Sequence, residues 1–225
     1  MQHIGYIMDG NRSWAKAKWF LAFAWHRQWY ETAKKIIRET KKRGIPFASF
    51  WALSDDNIVK RSPEEIRYLF WLLEKWILDL AKDANKQNIR IVCVWDRSLL
   101  PETCVESMVE AETLTSENTE MVVILAIGYG WQEEIARAVR SLALTWVDMT
   151  WVSTSDIVAH IETRAYPQPD LIIRTWGHMR HSGFLLFQSP YAEYYFSDLL
   201  WPDFCWDELD RAISDYENRE RKYGK

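Results

Sequence analysis

Short apolar runs alternate with longer amphipathic ones along this chain of 225 residues. His3-Ile4-Gly5-Tyr6-Ile7-Met8 reads as a first strand, ended by the turn signal Asp9-Gly10-Asn11. A basic helix is predicted from Glu31 to Arg43, stopped by Gly44 at its C-cap, and Phe47 to Leu53 is a buried strand. Ser62-Pro63-Glu64-Glu65 then opens a long helix, with Ser as N-cap, Pro at the first helical position and acids in the first turn. Its apolar residues Ile66, Leu69, Phe70, Leu73, Ile77 and Leu80 keep helical spacing.

Further along, Ile89 to Val94 and Met121 to Ile127 are strands, the second apolar enough to be covered on both faces. Helices are predicted at Thr103 to Leu114, Ile135 to Leu142, Ser155 to Glu162 with Ser155 as cap, and Asp207 to Arg221. Leu171 to Ile173 and Phe184 to Phe187 read as short strands. Strand and helix alternating along one chain point to a single α/β domain over residues 1–225, a mainly parallel sheet covered by helices.

Composition changes this picture little. Charged residues at 27 % and hydrophobic ones at 48 % fit a packed globular domain rather than disorder. A net charge of −4 offers no global attraction to nucleic acid or anionic lipid, so an anionic ligand needs a local cluster of donors. Cys93, Cys104 and Cys205 have no metal-ligand spacing and read as plain thiols of a reducing compartment. Without a leader-like basic and apolar start, or an apolar run of about 18 residues, the expectation is a soluble cytoplasmic protein. The 14 Trp against 8 Gly are out of proportion, which matters below.

Candidate chemistry sits at strand ends, where parallel sheets collect ligands. Asp9, with Gly10 and Asn11 behind it, could hold a hard cation and cradle phosphate, although a strand-ending Asp-Gly is commonly just a turn. Arg174-Thr175-Trp176-Gly177-His178-Met179-Arg180-His181-Ser182 supplies charge-assisted donors for a diphosphate, or else a solvated basic loop. Glu193 lies among aromatics in Tyr191-Ala192-Glu193-Tyr194-Tyr195-Phe196, where a carboxylate needs a partner or a metal. Ser54-Asp55-Asp56-Asn57, leading to Lys60-Arg61, follows the second strand. No glycine-rich phosphate loop follows any strand, which argues against a nucleotide-binding protein.

Six stretches together resemble the cis-prenyltransferase family, which includes undecaprenyl diphosphate synthase. They are His3–Lys16, Ser54–Glu65, Ala126–Ala138, Asp170–Ser182, Phe184–Phe204 and Asn218–Gly224, in family order over nearly the whole chain. The resemblance implies a six-stranded sheet, a homodimer, a hydrophobic tunnel, and magnesium-dependent condensation of isopentenyl diphosphate with an allylic diphosphate. Asp9 then matches the magnesium-binding aspartate, and Asn11 the asparagine that assists proton removal or diphosphate placement. His26 matches a histidine near the allylic diphosphate, and Ser54, Asn57 and Arg61 match an active-site loop, with one extra residue among Ile58-Val59-Lys60. Gly10, Arg12 and Trp14 join the substrate-binding set, Arg174, Arg180 and Ser182 form the isopentenyl diphosphate clamp, and Glu193 is a second metal-related carboxylate.

The chain departs from the family pattern in places. Ser13 and Ala22 stand where arginines are expected, and His178 where a glutamate is usual. Trp19, Trp25, Trp29, Trp95, Trp131 and Trp176 stand where the family carries Gly, so each should strain the backbone or fill ligand space. Ala52 leaves tunnel space, while Trp51, Phe70 and Trp71 are bulky enough to close it. An impaired or non-catalytic member, serving as partner subunit or scaffold, is therefore the alternative to an active enzyme.

Overall fold

A computed structural model describes residues 1–19, 24–145 and 148–220. Ala22, the side chain of Trp25 and the last residues of the Asn218–Gly224 stretch lie outside this description. Six strands form one sheet: β1 (His3–Ile7), β2 (Phe47–Ser54), β3 (Ile89–Trp95), β4 (Met121–Tyr129), β5 (Leu171–Arg174) and β6 (Glu193–Phe196). Their order is β3-β4-β2-β1-β5-β6, and every pairing is parallel. The helices are α1 (Asn11–Ala17), α2 (Ala24–Lys42), α3 (Asp55–Lys60), α4 (Pro63–Lys86), α5 (Glu102–Leu114), α6 (Trp131–Ala143), α7 (Thr154–Val158) and α8 (Trp206–Asn218).

Local signals place most of these elements. Gly44 takes a left-handed φ of 69° after α2, as a C-cap glycine does. The Ser62 hydroxyl accepts from the Glu65 amide at the start of α4. β1 and β5 are buried throughout, and the core runs from Ile4, Tyr6 and Phe50 on the strands to Ile36, Ile77, Met108 and Leu209 on helices. Among the described residues no helix is long and apolar enough to cross a membrane.

Two expectations need correction. Phe184 to Phe187 is a turn, because Gly183 (φ 90°) and Leu185 (φ 47°) coil the chain and drive Phe184 between Trp51 and Tyr129. Glu193–Phe196, whose residues are all half-buried, is the edge strand instead. The short helix after residue 153 is capped by Ser153, which shares a capping box with Asp156, and not by Ser155.

The tryptophans divide as well. Trp19 (φ 57°) and Trp176 (φ 77°) do occupy left-handed backbone that favours glycine. Trp29 lies inside α2, Trp95 ends β3 and Trp131 opens α6, where the backbone is regular. Backbone strain is absent there, while Trp29 and Trp131 meet the other half of the expectation by lining a cavity beside β1 and β2.

Candidate active site

Strand order reverses direction at β1, which has β2 on one side and β5 on the other. The crevice at the carboxyl ends of β1 and β5 is the topological switch point of such a sheet. Asp9 leaves β1 there and Arg174 ends β5 there, in register with Ile7. Arg174 Nη2 donates to Asp9 Oδ2 at 2.6 Å, and Nη1 donates to Ser182 Oγ at 2.7 Å and to the Arg180 carbonyl. The Arg174 side chain is only 4 % exposed, and this burial lowers its pKa against the raising effect of Asp9.

The turn after Asp9 is fixed by close packing. Gly10 has φ 94°, and a Cβ on it would meet Leu200 Cδ2 at 2.7 Å. Asn11 Nδ2 donates to the Met8 carbonyl at 2.8 Å, and among the described residues the buried Asn11 Oδ1 has no hydrogen-bond partner. Thr175, not singled out from the sequence, secures Asp9: the Asp9 amide donates to Thr175 Oγ1 (2.9 Å), whose hydroxyl donates to the Asp9 carbonyl (2.8 Å). Its position between Arg174 and Trp176 was the available signal.

The loop after β2 forms a hydrogen-bonded chain. Ser54 Oγ caps α3 by accepting from the Asn57 amide and side chain, and Arg61 Nε donates to Asn57 Oδ1 at 3.0 Å. Arg61 also pairs with Glu65 at 3.2 Å, and Arg12 meets the same carboxylate at 2.5 Å. Burial and the nearby Arg12 lower the Arg61 pKa.

Many of these groups line a cavity of about 600 Å³. Asp9, Asn11, His26, Ser54, Asn57, Arg61, Arg174, Arg180 and Ser182 all line it, as sequence reasoning expects. Much of the remaining lining is apolar, with Ile37 and Trp29 of α2, Leu69 and Trp76 of α4, and Leu125 and Ile127 of β4. Trp76 stacks on Tyr30 at 5.0 Å and lies 6.2 Å from Trp29. Trp51 and Ala52 line the cavity, but Phe70 and Trp71 do not; Phe70 is in the core and Trp71 is half-exposed, with the Lys75 ammonium over its ring. Helical spacing identified α4 as amphipathic without telling which of its apolar residues face ligand space.

Four expected site residues are outside the cavity lining. Gly10 shapes the turn, Arg12 is an exposed partner of Glu65, and the Trp14 indole donates to Asp203 at 2.8 Å. Glu193 opens β6 in register with Leu171, at the far end of β5 from Arg174, and pairs with Arg219 at 2.6 Å. Within this chain Glu193 does not join Asp9, because a parallel edge strand carries its first residue away from the carboxyl end of the sheet.

The chain matches the family model "Putative undecaprenyl diphosphate synthase" over residues 7–224. It is 37 % identical to an isoprenyl transferase of Brucella abortus, covering 99 % of this chain and 89 % of that protein. Among solved structures it resembles lavandulyl diphosphate synthase from Lavandula x intermedia in complex with dimethylallyl diphosphate, with TM-score 0.94, 32 % identity, and 100 % and 98 % of the two chains covered. A probable undecaprenyl diphosphate synthase from Campylobacter jejuni matches with TM-score 0.84 and 30 % identity, over 100 % of this chain and 99 % of that one. This chain belongs to the undecaprenyl diphosphate synthase family, and is a prenyltransferase of the kind that transfers alkyl groups other than methyl.

Proposed function

We propose that this protein condenses isopentenyl diphosphate with an allylic isoprenoid diphosphate in a magnesium-dependent reaction. The observation that carries this reading is the Asp9–Arg174–Ser182 constellation in a cavity much of whose remaining lining is apolar. A diphosphate needs the first, and an isoprenoid tail needs the second.

The donor set suits magnesium. Among the described residues no three His, Cys, Asp or Glu side chains gather, so a protein-built cage has no basis. Magnesium is usually held by one or two carboxylates together with substrate phosphates. Asp9 would hold it, and the unpartnered Asn11 Oδ1 is an oxygen at the same turn. When bound, the ion would neutralise charge developing on the departing diphosphate.

The chain's own residues do the rest. Arg174, Arg180 and Ser182 grip the isopentenyl diphosphate and aim its double bond at the allylic carbon. His26, Asn57 and Arg61 also line the cavity and would attend the allylic diphosphate. The allylic C–O bond breaks with its electron pair leaving on diphosphate, and the isopentenyl double bond forms the new C–C bond. A proton is then lost to a basic group or to the displaced diphosphate. The reading includes a cytoplasmic homodimer whose membrane contact, if any, is peripheral and through its lipid product; three free thiols support a reducing compartment.

Labelled isopentenyl diphosphate, incubated with allylic primers of several lengths and with or without magnesium, tests this. Expected is a chain-extended product that disappears on chelation. Folded protein that extends no primer would favour the non-catalytic partner or scaffold.

A further inference from the structure

The chain leaving β6 touches both halves of the site without entering the cavity. Ser197 to Leu200 have no regular secondary structure, and neither they nor Trp201 line the cavity. Toward β5, the Ser197 amide donates to the Arg174 carbonyl at 2.8 Å. The Ser197 and Leu199 carbonyls accept in turn from the amides of Gly177 and Trp176, both at 2.8 Å. Toward β1, the Trp201 amide donates to the Asp9 carbonyl at 3.0 Å, and Leu200 packs on Gly10 where a Cβ would stand. One short strap thus grips the backbone of Asp9 and Gly10 with one end and that of residues 174–177 with the other.

Irregular backbone does not hold itself in place, and here a buried carboxylate does so. Glu208, in the first turn of α8, is 6 % exposed. Its Oε1 accepts from Ser197 Oγ at 2.6 Å and from the Tyr195 hydroxyl at 3.0 Å, and Oε2 accepts from Arg211 Nη1 at 3.0 Å. A serine hydroxyl has one proton to give, and once it goes to Glu208 the oxygen is free to accept. The Leu199 amide uses it, at 3.2 Å. Burying a carboxylate is costly without donors, so this charge-assisted link fixes the orientation of Ser197 and with it the first turn of the strap.

We propose that Glu208 is a positioning residue for the diphosphate site: through Ser197 it fixes the strap 197–201, and the strap fixes the spacing of Asp9 and Arg174. The kinetic arm of this inference rests on the proposed condensation, whereas the strap itself does not. The test takes Glu208→Ala, which removes the acceptor, Glu208→Gln, which keeps an acceptor oxygen without the charge, and Ser197→Ala, which breaks the link from the other side. Steady-state kinetics per folded molecule, isothermal titration with isopentenyl diphosphate and amide hydrogen exchange are read on each.

In Glu208→Ala and Ser197→Ala, kcat/KM for isopentenyl diphosphate should fall roughly tenfold or more, as a small displacement of a positioned group does. Part of the fall should appear in kcat, because Asp9 shifts together with Arg174. Exchange should quicken at the amides of Trp176, Gly177 and Trp201 and not in β3 or β4, and Glu208→Gln should recover most of the loss. If Glu208→Ala does not fold, Ser197→Ala decides the matter. A lowered melting temperature with parent kcat/KM per folded molecule would make Glu208 a stabilising residue only and overturn the proposal, as would unchanged exchange at residues 176 and 177. A parent protein that binds no isopentenyl diphosphate would instead defeat the proposed function and leave the strap to be decided by exchange alone.

Discussion

The two ends of the sheet carry similar residues and put them to opposite uses. At the amino end, His3 contacts the Pro167 carbonyl (2.7 Å) and Ser49 Oγ (2.8 Å), and Asp170 accepts from the amides of Gln2 and His3. Because a carbonyl only accepts, Nδ1 donates and Nε2 accepts from the serine hydroxyl. Glu193 finds Arg219 there too. At the carboxyl end, Asp9 and Arg174 also pair, yet among the described residues Asn11 Oδ1 and Arg174 Nε are buried without hydrogen-bond partners beside a large cavity. Buried polar groups that close on one another stabilise a fold, and those left open at a cavity can be met by a ligand or by water. Substitutions should therefore change stability at one end and turnover at the other.

The largest effect is expected from Asp9→Ala, which should abolish prenyl transfer while circular dichroism and melting temperature stay near those of the parent. Near-normal turnover in this variant, or turnover indifferent to magnesium, would remove Asp9 from the chemistry. Arg174→Ala and Arg180→Ala come next. Each removes a charge-assisted contact, so the KM for isopentenyl diphosphate should rise roughly ten- to hundredfold. If both variants keep the parent KM, the loop after β5 is only a solvated surface.

At the amino end the expected readout is pH-dependent stability. Burial holds the His3 pKa at about 4, against the raising effects of the Pro167 carbonyl and Asp170. The unfolded imidazole takes up its proton near its ordinary value of about 6.5, so the unfolded state binds more protons below that pH. Stability should thus fall as pH drops from about 6.5 towards about 4, by up to about 1.4 kcal/mol per pH unit. Melting temperatures of the parent and of His3→Gln across this window measure it; parallel slopes would show that His3 is not the group responsible. Turnover per folded molecule should not follow the His3 substitution.

The smallest effects concern the left-handed tryptophans. A non-glycine residue in that region costs about 1–2 kcal/mol. Trp176 stacks edge-on against His178 at 4.3 Å and lines the cavity, whereas Trp19 is 96 % exposed and does not line it. Trp176→Gly should raise both stability and kcat/KM, and Trp19→Gly stability alone. Adding Arg at Ser13 and Ala22 to Trp176→Gly should raise kcat/KM further. Trp29→Gly, inside α2, should destabilise instead, by about 1 kcal/mol from helix propensity plus the lost stacking. A flat or lowered kcat/KM in Trp176→Gly would mean that the indole is accommodated in the clamp.

Much of this architecture was legible from local pattern. The apolar runs that became β1 to β5, the cap at Ser62 and the glycine at 44 act over a few residues, and each sits where the spacing put it. The strand-end positions of Asp9 and Arg174 were equally readable, because a strand's end is a local event. That β1 lies beside β5, and so brings together an aspartate and an arginine 165 residues apart, depends on how all six strands pack. The same packing turned Phe184 inward, sent Glu193 to the opposite end of the sheet from Asp9, and left Trp176 but not Trp29 in left-handed backbone. Periodicity states which residues leave water; only the pairing of strands distant in sequence decides which of them meet.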